Sequence, residues 1–201
     1  SADGDRALTA MREGLEIARA TGAHTWMFQL LVCGYGGALG SNNLGATSDI
    51  VKQLEALSGR AGRADLAQYH HFAAWEAMLR NDLMRALQEA RISLRMAIEV
   101  GSPYFEALAR LALAQILAEC GDERKCVSHL ERLREIVRAI DNRHLEFASL
   151  MGSARIALEH GRQRLGLSLL QNGLKIGREF GYTHFLWWCP NRVANVLVRA
   201  I

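Results

Sequence analysis

Several side chains in this 201-residue chain have the types and spacing from which catalytic or metal sites are built. His70 and His71 precede Trp75 and Glu76, which suggests a metal or acid–base site. Neighbouring residues of a helix project about 100° apart, however, so two adjacent histidines chelate one ion poorly. No Ser/His/Asp or Cys/His group has a recognisable local spacing. We therefore predict neither an enzyme nor a metal site.

The glycine-rich residues 34–40 invite comparison with phosphate-binding loops. The motif Gly-x-Gly-x-x-Gly would need a glycine at Leu39, and no Gly-Lys-Ser/Thr occurs in the sequence. We interpret the stretch as a helix whose small residues make a close contact, followed by a loop through residues 41–43. No cofactor is predicted for this chain.

The cysteines are spaced irregularly and contain no Cys-x-x-Cys motif. Cys120 and Cys126 flank a turn, so a zinc or redox role is conceivable, but ordinary thiols in a reducing compartment fit better. The sequence shows no signal peptide and no apolar run of membrane-spanning length. These features predict a cytoplasmic protein without a membrane partner.

The net charge of +3 is small for the length, and basic residues mostly alternate with acids, as in residues 131–135. This pattern is typical of a solvated helix surface, whereas nucleic-acid-binding domains usually have a clustered basic face. We therefore predict no direct contact with nucleic acid.

The chain resembles itself at a spacing of 40 residues, without gaps. Small side chains at a fixed place let neighbouring helices approach to roughly 8 Å, and such a period is typical of repeat architectures. The clearest columns contain small or apolar residues: Gly34, Ala74, Ala114, Ala154 and Ala194; Ala46, Ala86, Cys126 and Gly166; Ala10, Ile50, Ala90, Leu130 and Leu170.

Between these columns, apolar residues recur three or four apart, as on one face of a helix. Ser102 before Pro103 forms an N-cap followed by proline at the first helical position. We predict an all-α fold: a right-handed α-solenoid of about five antiparallel helix pairs, forming one domain over residues 1–201. The predicted helices lie near residues 4–21, 24–39, 47–61, 64–80, 82–100, 103–120, 123–140, 143–160, 162–180 and 184–200.

The unit resembles the tetratricopeptide-type repeat. In two units a small residue is followed seven residues later by a turn and then by another small residue: Ala114, Gly121-Asp122, Cys126 and Ala154, Gly161-Arg162, Gly166. The common form has about 34 residues. This chain departs from it in its 40-residue length and in lacking the proline that usually closes each unit.

The 40-residue variant resembles the sensor region of large ATP-dependent bacterial transcription regulators. These include LuxR-type regulators typified by the maltotriose-responsive activator, and relatives with a bacterial transcriptional activator domain. Residues 174–182 and 185–190 carry the likeness, which extends over the whole chain. The resemblance implies neighbouring ATPase and DNA-binding domains in a larger protein, with ATP bound only in the separate ATPase domain.

One column, at residues 35, 75, 115, 155 and 195, does not keep its residue type from unit to unit, so packing alone does not explain it. We call it the predicted binding column. In the repeat family that it resembles, this phase lines the concave groove, and solenoids use such surfaces for recognition. The alternative is that these are ordinary exposed or half-buried residues. With neighbouring columns, the predicted binding residues are Tyr35, His71, Trp75, Gln115, Glu119, Arg155, Glu159 and Asn195.

The C-terminal part contains adjacent tryptophans, Trp187 and Trp188, which cannot both face one core on a regular helix. They are predicted either to cover the end of the solenoid or to contact a neighbouring domain or partner. No polar helix seals the end at Ile201, so we expect a fragment of a larger protein, with homo-oligomers through solenoid ends as a further possibility.

Two functions follow from this reading. The first is a non-catalytic sensor or interaction domain of a bacterial ATP-dependent transcriptional regulator, which binds a small-molecule effector or a protein partner in its groove. The second is a general peptide-binding scaffold unrelated to transcription. A deep closed pocket would favour the effector, and an open shallow groove would favour a peptide.

Overall fold

The computed structural model describes residues 2–182, and these residues are helical almost throughout. Short 3₁₀ turns lie at His24–Trp26 and Ser58–Arg60. The helices are α1 (Ala2–Thr21), α2 (Met27–Gly40), α3 (Leu44–Leu57), α4 (Arg63–Leu79), α5 (Leu83–Val100), α6 (Pro103–Glu119), α7 (Glu123–Ile140), α8 (Arg143–Glu159) and α9 (Gln163–Phe180). The predicted all-α class is confirmed over these residues, and the helix predicted at 184–200 lies outside them.

Most turns between helices share one backbone conformation, in which one residue is left-handed. A residue with positive φ follows the helix and permits its last turn to close, and the next residue caps the following helix. From residue 81 onward these left-handed residues are 20 apart: Asn81, Gly101, Gly121, Asp141, Gly161 and Gly181. One helix with its turn therefore occupies 20 residues, which explains why a pair of helices occupies the 40-residue period.

N-caps define the starts of five helices. Each capping side chain accepts a hydrogen bond from the backbone N–H three residues later, which satisfies one of the free donors at the helix start. The caps are Asn43, Asp82, Ser102, Asp122 and Asn142. The predicted Ser102-Pro103 start is thus confirmed.

The helices pack in adjacent pairs around a central row formed by α2, α4, α6 and α8. Each central helix contacts the next one in the row, and α5 and α7 each also contact the central helices on either side of them in sequence. The central helices are buried over most of their surface, whereas α5, α7 and α9 bury only one stripe. The small columns lie at these contacts.

The small residues are required by close approach. Ala74, Ala114 and Ala154 are fully buried, and a Cβ added at Gly34 would lie 2.1 Å from the sulfur of Met11. A Cβ at Gly166 would lie 2.5 Å from Cγ of Leu158. A larger side chain at these places would push the helices apart, as the repeat pattern predicts.

The third helix differs from its prediction. It spans Leu44–Leu57 rather than residues 47–61, because Asn43 caps it and a 3₁₀ turn follows Leu57. Gly62 has a φ of −69° and lacks the left-handed conformation of the other turns. The sequence period continues through this junction, but its turn is built differently.

Candidate functional site

The predicted binding column is buried in the central row. The exposed fractions of Tyr35, Trp75, Gln115 and Arg155 are 0%, 1%, 3% and 4%, and His71 is equally buried. Within the described residues these side chains are buried among packed helices, and none of them lines the grooves described below. That they bind a ligand stays a prediction.

The remaining predicted residues divide into two groups. Glu119 and Glu159 end α6 and α8, where solvent reaches both residues. Asn195, Trp187 and Trp188 lie outside the described residues.

The first cluster surrounds the buried carboxylate of Glu76 and consists of Tyr35, Thr47, Glu76 and Arg80. The hydroxyl of Tyr35 donates to Oε2 of Glu76, across from α2 to α4. Oε1 accepts hydrogen bonds from the Thr47 hydroxyl at 2.8 Å and from Nη2 of Arg80 at 2.8 Å. Side chains from α2, α3 and the residue that follows α4 thus satisfy one buried charge.

The pKa values of the first cluster follow from this geometry. Burial alone would raise the pKa of Glu76, but hydrogen bonds from Tyr35, Arg80 and Thr47 hold it below its usual value. Burial, followed by the hydrogen bond to Glu76, raises the pKa of Tyr35. Burial also lowers the pKa of His71, on the same helix as Glu76, to about 3. At neutral pH the carboxylate is therefore charged and the imidazole is neutral.

The second cluster consists of Glu119, Arg155 and Glu159. Nη1 of Arg155 donates to Oε1 of Glu119 at 2.8 Å and to Oε2 of Glu159 at 2.9 Å. Its Nε and Nη2 atoms are buried and have no hydrogen-bond partner in the part of the chain that the structure describes, and the same holds for Nε2 of Gln115. The structure thus brings three predicted residues together, but as an internal ion-pair network.

Other chemistry-bearing residues are separate from these clusters. His70 pairs with Glu89 on α5 at 2.6 Å. Cys33, Cys120 and Cys126 are free thiols. Within residues 2–182, no group of three or more His, Cys, Asp or Glu side chains could hold a metal ion, and no helix is long and apolar enough to cross a membrane.

An open groove lies between α5 and α7, and apolar side chains of α5 and α6 form its floor. We call it the α5/α7 groove, and it encloses about 380 Å³. Apolar side chains make up its floor, and cationic side chains stand along it. Its lining residues are Leu87, Arg91, Leu94, Arg95, Ile98, Glu99, Leu113, Leu117, Lys125 and His129.

The corresponding space one unit later has a different chemistry. The α7/α9 groove also encloses about 380 Å³, over the face of α8. Arg134 and Arg138 stand 40 residues after Leu94 and Ile98, and Ser153 stands 40 residues after Leu113. The backbone repeats, but the α7/α9 groove is the more polar of the two, with arginine and serine side chains where the α5/α7 groove has leucine and isoleucine.

The sequence-based predictions did not include this groove, although the apolar pattern of α5 indicates it. The buried stripe of α5 is Ala86, Ala90, Ser93 and Ala97. A second apolar stripe runs beside it at helical spacing: Leu87, Leu94 and Ile98. An apolar face wider than the buried stripe indicates surface left open for another contact.

Comparisons with known proteins add no family to these observations. No protein-family model matches the chain, and no curated protein matches it. The likeness to tetratricopeptide-type repeats and to ATP-dependent regulators therefore remains a prediction from the residues quoted for it.

Proposed function

We propose that the chain is a non-catalytic helical-repeat interaction domain, with its helix pairs arranged as a right-handed solenoid of tetratricopeptide type. The observation that supports this most is the α5/α7 groove. Its apolar side chains lie between two helices and include Ile98, which is 53% exposed, and exposed apolar surface rimmed by polar groups is typical of interaction sites. Repeat proteins present such surfaces because each unit contacts only its neighbours.

A protein partner fits the geometry better than a small effector held by the buried column. The side chains of Tyr35 and Trp75 are enclosed by the chain itself, so a ligand would have to displace packed helices to reach them. The α5/α7 groove is accessible without any rearrangement.

The cellular role within this proposal is that of the sensor or interaction region of a cytoplasmic bacterial ATP-dependent transcriptional regulator. It rests on the resemblance of residues 174–182 and 185–190. A general peptide-binding scaffold unrelated to transcription fits the same groove. A reading frame that joins this segment to an ATPase and a DNA-binding domain would support the regulator, and one that encodes neither would remove the transcriptional role alone.

A selection experiment tests the interaction function. The purified, folded protein would be exposed to a displayed library of random peptides, and enriched peptides would be measured against Ile98→Glu and Arg138→Glu variants. We expect enrichment of peptides that lose at least about tenfold in affinity, or about 1.4 kcal/mol, when one groove is altered. If no peptide is enriched, the interaction function is wrong, whereas peptides whose affinity is unchanged in both groove variants would place the interaction on another surface.

A further inference from the structure

The floor of the α5/α7 groove has the length of a short helix. Leu87, Leu94 and Ile98 run along α5, and at a rise of about 1.5 Å per residue they span about 17 Å, or three turns. Leu113 and Leu117 extend the floor on α6, one turn apart. Ile98 is 53% exposed, so its apolar surface is largely uncovered in the described structure.

The shape of the groove favours a helix over an extended peptide. Both walls are helices, α5 and α7, which pack against the same central helix. An extended peptide needs partners for its backbone N–H and C=O groups, and residues 2–182 contain no strand edge to supply them. A helix satisfies its own backbone and can place apolar anchors at i, i+3 or i+4, and i+7 on such a floor.

The charge of the groove favours an acidic occupant. Arg91 and Arg95 stand on the exposed side of α5, and no ion pair within the described residues involves either of them. Lys125 lies on the opposite wall and pairs with Asp122, while the one acidic lining residue, Glu99, pairs with Arg63. The groove therefore presents excess positive charge beside an apolar floor.

The positive charge of the groove affects the pKa of His129, whose imidazole lies on the α7 wall. Burial, followed by the positive charges of Arg110 and Arg91, lowers the pKa of His129. The positive potential thus reaches across the groove from α5 to α7. Acidic residues on a partner would favour its association with the groove, and repulsion would weaken the binding of basic partners.

From this geometry we propose that the α5/α7 groove binds an amphipathic helix of a partner protein, with its apolar stripe on the floor and acidic residues facing Arg91 and Arg95. This inference rests on the proposed interaction function and specifies the partner class. It assigns recognition to the gap between flanking helices, and not to the buried column of the central row.

A designed peptide pair tests the proposal. The first peptide has about 14 residues, or four helical turns, with leucines at i, i+3, i+7 and i+10 and glutamates flanking them. Its twin has lysines in place of the glutamates. Fluorescence anisotropy with the whole protein measures both affinities, and we expect the lysine peptide to bind at least about tenfold more weakly.

Variants of the protein locate the binding. Ile98→Glu, and Arg91→Glu combined with Arg95→Glu, change exposed positions and should each weaken the glutamate peptide at least about tenfold. Arg138→Glu is the matched control, because it stands 40 residues after Ile98 in the α7/α9 groove. It should leave the affinity unchanged, and circular dichroism checks that all variants stay folded.

The opposite results separate the two proposals. Equal binding of both peptides, no binding of either, or equal loss in Arg138→Glu and Ile98→Glu would overturn the acidic-helix assignment. Self-association through Ile98, seen by sedimentation, would overturn it too, because the occupant would be a second copy of the chain. Library peptides that map to another surface would keep the interaction function while removing this site.

Discussion

The first cluster, around Glu76, and the second cluster, around Arg155, each bury one charged side chain in the central row. Both connect a central helix to the one before it: Tyr35 lies 41 residues before Glu76, and Glu119 lies 36 residues before Arg155. They differ in how the charge is satisfied. The carboxylate of Glu76 accepts hydrogen bonds from three side chains, whereas Arg155 uses Nη1 and leaves Nε and Nη2 without partners among the described residues.

This difference shows how much variation one repeated backbone can accept. The position of Glu76 is occupied one unit later by Ile116, which is fully buried. The same helix contact thus holds an isoleucine in one unit and a carboxylate in another, provided that the carboxylate finds donors. Buried donors without acceptors cost about 1–3 kcal/mol each, so the two clusters should contribute unequally to stability.

The largest effect is expected from Glu76→Ala. The substitution leaves the buried Tyr35 hydroxyl without its acceptor and removes charge-assisted hydrogen bonds, so the free energy of unfolding should fall by about 3 kcal/mol. Urea unfolding followed by circular dichroism measures it.

Glu159→Ala is the matched control in the second cluster. Its carboxylate is reached by water, and Arg155 keeps Glu119, so the loss should stay below about 1 kcal/mol. Equal losses of unfolding free energy in Glu76→Ala and Glu159→Ala would contradict the larger contribution to stability expected from the first cluster.

Acid should destabilise the fold in part through two buried side chains of α4, His71 and Glu76. Because burial lowers the pKa of His71 to about 3, the unfolded chain binds a proton below the ordinary value of 6.5 while the folded chain does not. The free energy of unfolding therefore falls by up to about 1.4 kcal/mol per pH unit as the pH drops below 6.5. The lowered pKa of Glu76 adds stability that is present above 4.5 and is lost at lower pH.

His71→Gln removes the histidine contribution to this acid dependence. Urea titrations at pH 7 and at about pH 5 should show that the variant loses about 2 kcal/mol less than the parent over this interval. A parental slope in His71→Gln would contradict the burial of a neutral imidazole.

The smallest effect is expected from Arg155→Met. Methionine removes two buried donors that lack partners, which offsets the loss of ion pairs to carboxylates that solvent reaches. The free energy of unfolding should change by less than about 1 kcal/mol. A loss above about 3 kcal/mol would show that Nε and Nη2 of Arg155 have hydrogen-bond partners in solution. The two clusters would then not differ in how their buried charges are satisfied.

The helix pairs could be predicted because their causes are local. The cap at Ser102 acts within one turn, and the small residue Ala114 recurs at a fixed position along the sequence, and the structure confirms both. The direction in which Tyr35 and Arg155 face could not be predicted in the same way. It depends on how closely one central helix packs on the next, and a sequence period specifies the spacing of contacts along a helix without specifying that distance.

The polar pairs and the groove also depend on neighbours that are distant in sequence. Glu76 was noticed only as part of a histidine-containing stretch, and its partners Tyr35 and Thr47 come from two earlier helices. The opening of the α5/α7 groove is formed by side chains of three helices, α5, α6 and α7, and Leu113 and Leu117 of α6 are buried at its base. A second apolar stripe on α5 indicates this opening, but its width requires the packed structure.

The even interval between left-handed residues has a consequence for how such a chain can change in length. Inserting one residue into a helix rotates everything after it by about 100° and takes the small column out of its contact. Removing or adding a segment of 40 residues, from one left-handed glycine such as Gly121 to the next equivalent one, Gly161, keeps every cap and turn in place. Such a domain can therefore gain or lose a groove by duplication or deletion of whole helix pairs, while smaller changes in length are confined to its turns.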